Sequence, residues 1–313
     1  CLQSIQDYAS PVQVQTILVD NNSSDGSREM VTERFPWVEL MNSGGNLGFG
    51  RANNLALQRV AAPFVLYLNP DTELRPGALT AMLDCLRARP DVGGVGLRLT
   101  DATGQTQALG LQVFPNPFRE FLRLAVYTES LGRRWPSLFR WMSAEHSGYV
   151  VKIYGACLLV RREVLDRVGA FDDRYFMYCE DVDLCRRIIE GGWRLYYLAE
   201  PAIIHHGAGA SAKAPGAFAI LMTCQSISKY MRKYYGLPGD LLHRLLVLLA
   251  ALIRLGVASL LWCKRRIQRG FAPDTASPGK RYRIMLEWAL GLKHAQIATD
   301  RAPVKPVAVP VNS

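Results

Sequence analysis

Three acidic clusters, one glycine-rich loop and a histidine pair carry the side chains in this chain that could do chemistry. In PFVLYLNPDTE, residues 63–73, a short apolar run with the make-up of a buried parallel strand ends in Asn69, Asp71 and Glu73. Oxygen donors at the carboxyl end of such a strand, where open α/β sheets place their ligand crevice, suit a divalent cation or a phosphate. A polar turn leading into a helix accounts equally well for Asn-Pro-Asp, and this stretch alone does not choose. In VDNNSSDGS, residues 19–27, Asp20 again stands at a strand end, ahead of Asn21, Asn22, Ser23 and Ser24. An Asx-rich turn explains Asn22 to Ser27 but gives no role to the acid, whereas a bound nucleotide does. NSGGNLGFGRANN, residues 42–54, then offers Asn46, Gly48 and Arg51 at the start of a helix. Backbone amides, a helix N-terminus and one guanidinium suit a pyrophosphate, although the pattern is neither G-x-G-x-x-G nor a P-loop.

The third acidic cluster, FDDRYFMYCEDVDLCRR, sets Glu180 and Asp181 where an aromatic segment gives way to a helix. Acids in a first helical turn are favoured by the dipole alone. Beside Tyr175, Phe176 and Tyr178, however, partial desolvation raises a carboxyl pKa, which suits a general base. Asp183 has a structural role available, a pair with Arg187 one turn on. In AIIHHGAGAS, residues 202–211, His205 and His206 close a strand; a lone histidine is more often structural, but here an acidic strand end offers a partner for metal ligation.

The elements that must position these residues alternate. Strands at 14–20, 38–41, 64–68 and 92–99 and helices at 27–34, 49–60, 76–89 and 182–190 predict a mainly parallel, doubly wound α/β sheet. Residues 105–150 hold several prolines and no clean period, and read as a long loop. The chain has 313 residues, 49% hydrophobic and 20% charged, enough for a large core. Seven cysteines without a C-x-x-C pair point away from a disulfide framework or a zinc ribbon. The net charge of +10 fits nucleic acid, an anionic membrane surface or an anionic substrate. With acids lining the expected cleft and no recognised binding module, nucleic acid is the weakest of the three.

Taken together, VDNNSSDGS, GNLGFGRANN, LNPDTEL, GACLLVRREV, FMYCEDVDLCRR and HHGAGAS resemble, in order, the inverting GT-A-type glycosyltransferases of family 2, in particular a bacterial rhamnosyltransferase-like branch. The resemblance covers about Cys1 to Tyr235. It implies that Asp20 contacts the base or ribose of a nucleotide-sugar donor, with Asn22, Asn46, Gly48, Arg51 and Asn69 along the nucleotide and diphosphate. It further implies that Asp71 and His206 hold Mg²⁺ or Mn²⁺, His206 being placed by an H-x-x-x-x-S pattern ending at Ser211. Asp181 is then the general base, with Glu180 as the alternative. Asn69 stands where a full D-x-D has its first Asp. The family also opens with a central strand ending near T-Y-N, and nothing before Cys1 supplies it here, so the chain is expected to be N-terminally incomplete.

Beyond a glycosyltransferase domain over 1–235, the sequence predicts a helical membrane-interface segment over 236–301 and a disordered tail over 302–313. Residues 241–262 are long enough to span a bilayer, but His243, Arg254 and Arg265 recur every eleven residues as one polar stripe. That stripe, followed by Lys264, Arg266 and Arg269, favours a helix lying on an anionic leaflet. A helix packed on the domain is the alternative. The expected function is transfer of rhamnose from dTDP-rhamnose to a lipid-linked or growing cell-surface glycan, on the cytoplasmic face of the bacterial plasma membrane. Alternatives are a UDP- or GDP-hexose donor, and a non-catalytic relic that binds membrane or glycan.

Overall fold

The structure is a computed structural model and describes residues 1–107, 113–126, 145–207, 216–269 and 279–295, the stretch 264–269 by backbone alone. After α1 (Leu2–Tyr8), β1 (Ile17–Asp20) and β2 (Glu39–Asn42) flank α2 (Ser27–Arg34) and pair in parallel as a two-stranded sheet. A six-stranded sheet follows from β3 (Phe64–Leu68), β4 (Thr72–Glu73), β5 (Val92–Thr100), β6 (Gly148–Val150), β7 (Cys157–Arg161) and β8 (Arg194–His205). Its order is β3-β7-β5-β8-β4, with β6 also on β8. The longest ladder, β5 with β8, is parallel; β7 pairs antiparallel with β3 and β5, and β4 and β6 antiparallel with β8.

Side-chain alternation along β7 explains why helices cover both faces. Cys157 and Leu159 point into a cluster with α1 and α4 (Ala78–Ala88), while Leu158 and Val160 point into one with α6 (Arg162–Val168) and α7 (Glu180–Glu190). Each such fully buried aliphatic contributes roughly 1.5–3 kcal/mol, so a central strand buried on both faces anchors the fold. On this frame α3 (Phe49–Leu57) follows the glycine-rich loop.

The stretch read as a long loop contains a helix, α5 (Pro117–Val126). Its packing partners lie about a hundred residues onward: Leu124 sits in a cluster with Leu221, Cys224 and Val247, and with Ile284 and Trp288 of α9 (Lys280–Ala289). A ten-residue helix between prolines has little local signal and is held by that distant contact.

The helix α8 (Gly216–Arg269) is broken at Gly236, which sits at φ 69°, two residues before Pro238. Its first segment packs on the domain: Tyr230 and Met231 are buried against Tyr175, and the Ser226 hydroxyl donates to the Met177 carbonyl at 2.7 Å. In the second segment the first two residues of the expected polar stripe turn inward, and the side chain of Arg265 lies outside the described residues. His243 is 1% exposed, and Arg254 Nε donates inward to the Leu124 carbonyl at 3.2 Å. The outer face is apolar instead, with Leu241, Leu245, Leu249, Leu252 and Leu260 all exposed at i, i+4 and i+3 spacing. With these groups turned inward, leucines are left outside. Among the described residues this is the one helix long and apolar enough to cross a membrane.

Asp183 joins the two parts. Fully buried, its carboxylate accepts from Arg187 at 2.8 Å within α7, and from Lys233 at 2.5 Å and the Tyr234 hydroxyl at 2.9 Å on α8. Removing it leaves Arg187 without a carboxylate and Lys233 with Asp172 alone, a loss of about 3–5 kcal/mol. Asp183→Ala should therefore lower the thermal midpoint and the urea midpoint together, whereas Asp166→Ala, which breaks the exposed pair with Arg162, should move either very little.

Candidate active site

The carboxyl ends of β1 and β3, the glycine-rich loop and the start of α7 converge. Asp20 is 4% exposed; one oxygen accepts the Ser23 amide at 3.1 Å and the other lies 3.7 Å from Arg28 Nε. Its neighbour Asn22 is exposed at φ 72°. The residue that laces this turn to the glycine-rich loop is Asn21. Its amide donates to Asn46 Oδ1 at 3.1 Å and the Gly48 carbonyl at 3.2 Å, and its Oδ1 accepts the Leu47 amide at 2.8 Å. Only a glycine serves at 48: φ is 80°, and a Cβ there would overlap the Phe176 carbonyl oxygen. Phe176 in turn accepts the Phe49 amide at 2.9 Å.

The Nε of the exposed Arg51 donates to the Asp173 carbonyl at 2.9 Å. Asn54 reinforces the seam, bonding the Phe171 backbone at both ends and Asp173 Oδ1 at 2.9 Å. The glycine-rich loop and the segment leading to α7 thus form one wall. Asn21, Asn54 and Asp173 were not picked out as a set by sequence reasoning, because their partners lie 25 to 119 residues away.

Beyond β3, the Asn69 amide donates to the Ala156 carbonyl at 3.0 Å, while its Oδ1 is buried without a partner. The imidazole beside Asp71 belongs to His205, Nε2 to Oδ1 3.3 Å, rather than to His206. His206 turns its Nε2 to Glu73 at 2.6 Å and gives its backbone amide to the Asp71 carbonyl at 2.8 Å. The motif spacing that points to His206 is displaced here because successive residues at a strand end face opposite ways, and His205 takes the Asp71 side. Its other nitrogen meets Gln107 at 2.8 Å, a side chain the spacing offers no way to select. Hydrogen bonding to His206 holds the Glu73 carboxyl below its ordinary range. Ser211 lies outside the described residues.

The acid pair sits on the first turn of α7, behind two consecutive non-glycine residues in the left-handed region, Tyr178 at φ 69° and Cys179 at φ 66°. Such backbone costs of order 1–3 kcal/mol per residue and persists where the surroundings over-determine it, most often at functional sites. Both carboxyls are pushed above their ordinary values, each chiefly by burial, and Glu180 further by the charge of Asp181. Asp181 is held by two backbone amides, Gly155 at 2.9 Å and Val182 at 2.8 Å. Glu180, 6% exposed, keeps Oε2 buried and unpaired. One dipeptide therefore connects both ends of the site: Gly155 donates to Asp181, and Ala156 accepts from Asn69.

The fold is that of the GT-A glycosyltransferases. It matches a mannosyltransferase from Pyrobaculum calidifontis, solved with GDP-Man and Mn²⁺, at a TM-score of 0.52 and 17% identity, over 93% of this chain and 80% of that one. At that identity the likeness is one of fold. Residues 1–226 match the family described as "Glycosyltransferase like family 2", and the chain belongs to that family. An N-acetylglucosaminyl-diphospho-decaprenol L-rhamnosyltransferase of Mycobacterium tuberculosis is 32% identical over 214 residues, 64% of this chain and 69% of the relative. The rhamnosyltransferase WbbL of Escherichia coli K12 is 26% identical over 200 residues, 61% of this chain and 72% of the relative.

Gly48→Ala tests the wall. The added methyl displaces the Phe176 carbonyl and with it the entry to α7, so nucleotide affinity and turnover should both fall by at least about tenfold. Gly104→Ala, also at positive φ but with nothing within 4 Å of its Cβ, should leave both unchanged.

Proposed function

We propose that this chain is an inverting rhamnosyltransferase that moves L-rhamnose from dTDP-rhamnose to a lipid-linked glycan at the cytoplasmic face of a bacterial plasma membrane. The observation that carries this reading is the Gly155–Ala156 bridge, which ties the Asn69–Asp71 strand end and the Asp181 carboxylate to two sides of one short segment. A donor whose diphosphate rests at the strand end then presents its anomeric carbon toward the acid pair. The named activities of two relatives support a rhamnose donor, and that of the first supports a lipid-linked acceptor.

The strand end fits a divalent cation. Asp71 and His205 converge, the Asn69 Oδ1 acceptor is buried without a partner, and oxygen donors with one imidazole are chemistry that Mg²⁺ or Mn²⁺ accepts. Asp71 and His205 would hold it, with Gln107 orienting the imidazole. Among the described residues no cluster of three or more protein ligands occurs, so donor oxygens and water would complete the shell. When bound, the cation supplies positive charge against the departing diphosphate.

The chain's own residues do the rest. The acceptor hydroxyl attacks the anomeric carbon as the bond to the diphosphate oxygen breaks, that oxygen leaving with the electron pair. Asp181, oriented by two amides, takes the hydroxyl proton, a role worth about 10² to 10⁴ in rate. A single displacement inverts the anomeric centre.

A donor screen with dTDP-, UDP- and GDP-sugars, read by sugar transfer, should select dTDP-rhamnose; a preference for another nucleotide would replace that donor. Asp71→Ala and excess chelator should each abolish transfer, and His205→Ala should cost more than His206→Ala. Asp181→Asn should lower kcat about 10²-fold or more with donor affinity retained. Because the base must be ionised and burial raises its pKa, wild-type kcat/KM should fall with decreasing pH well above the usual aspartate value near 3.9. The acid limb should vanish in Asp181→Asn; a normal Asp181→Asn enzyme would move the role elsewhere.

Membrane attachment is part of the proposal. The outward leucines of α8 supply apolar grip, and Lys264, Arg265, Arg266 and Arg269 supply attraction to anionic lipid. Replacing Leu241, Leu245, Leu249 and Leu252 together by Gln should abolish co-sedimentation with anionic vesicles and transfer to a lipid-linked acceptor. Donor hydrolysis by water should persist; a quadruple variant that still sediments would refute the attachment.

A further inference from the structure

A cavity of about 260 Å³ lies between α5, both segments of α8 and α9. Leu124, Ile220 and Val247 give it an apolar wall, and Glu120, Arg123, Arg281 and His243 face it with polar groups. His243 is 1% exposed and neither ring nitrogen has a partner. Burying a donor and an acceptor unpaired costs about 1–3 kcal/mol each, so packing alone does not account for an imidazole here. A leucine would fill the same place without that loss. Glu120 accepts from Arg123 through Nε at 2.9 Å and Nη2 at 2.7 Å, so their charges offset each other. Arg281, exposed on the first turn of α9, has no carboxylate partner among the described residues, and gives the cavity a positive mouth.

The size is informative. The volume far exceeds the roughly 10–15 Å³ that one water needs, yet falls below the ~300–1,000 Å³ of a pocket that encloses a whole ligand. It suits one headgroup with the rest of its molecule outside. The segment that contributes His243 and Val247 carries the exposed Leu245 and Leu249 on its outer face. The acid pair is near: Ile227, which lines the cavity, belongs to the cluster against which Cys179, the residue before Glu180, is packed.

We infer that this cavity receives the phosphate of the lipid-linked acceptor, with Arg281 and His243 donating to its oxygens and the lipid chain running out along α8. The inference rests on the proposed acceptor class but is tested without any sugar donor. Calorimetric titration of the full chain with dodecyl phosphate should show saturable binding, weakened about tenfold by His243→Leu and by Arg281→Gln. Inorganic phosphate should bind far more weakly and dodecyl maltoside should not compete. His243→Leu should melt at or above the wild-type temperature, separating lost binding from lost fold. In transfer assays both variants should raise the acceptor KM about tenfold at near-constant kcat, with donor hydrolysis unchanged. Wild-type affinity for dodecyl phosphate in both variants would overturn the inference. So would equal binding of dodecyl maltoside, which would mean an apolar groove, or of inorganic phosphate, which would mean a free-anion site. If no sugar nucleotide supports transfer while these binding losses hold, the proposed reaction fails and the phosphate site stands.

Discussion

The structure depends most on one buried carboxylate. Asp183 is fixed on the same turn of α7 as Glu180 and Asp181, and it accepts from Lys233 and Tyr234 of α8 as well as from Arg187. A charge without access to water must be matched closely, and its partners come from two helices that are otherwise distant in sequence. The position of Glu180 and Asp181 is therefore coupled to the helix that carries the outward leucines. Asp172 extends the link, accepting from Lys233 at 2.9 Å and from Arg174, whose side-chain bonds hold the Asp172 carboxyl far below its ordinary range.

The transfer site is assembled with the same economy of connections. The left-handed pair Tyr178 and Cys179 aims α7, the Phe176 carbonyl receives the glycine-rich loop, and Gly155 with Ala156 joins the acids to the end of β3. Each contact is a backbone group meeting a side chain or another backbone group from a different motif.

Charge and apolarity divide along α8. Its inner face presents Ser226, Ser228, Asp240 and His243, all nearly inaccessible, and Asp240 gathers Ser228, Arg244 and Arg232. The outer face presents leucines. A water-soluble amphipathic helix has the reverse arrangement. The inversion leaves a polar-lined cavity beneath an apolar exterior.

Much of this was legible in the sequence. Apolar runs ending in Asp20, Asn69, Asp71 and His205 announced strands with polar ends, and the glycines at 48 and 50 announced a tight loop before a helix, because period, turn chemistry and strand ends are local properties. The Asp183–Arg187 pair followed from helical spacing alone. Other features depended on partners that sequence spacing does not specify. The imidazole that meets Asp71 was decided by the facing of a strand end, the helix α5 by a hydrophobic partner a hundred residues away, and the roles of Asn21 and Asn54 by loops brought together only on folding. The polar stripe of α8 was found by its period, but which side it faced was not. A helical period says that polar groups share a face; only the packing of α5 and α9 determined that this face turned inward, where His243 is shielded and the leucines are left to the outside.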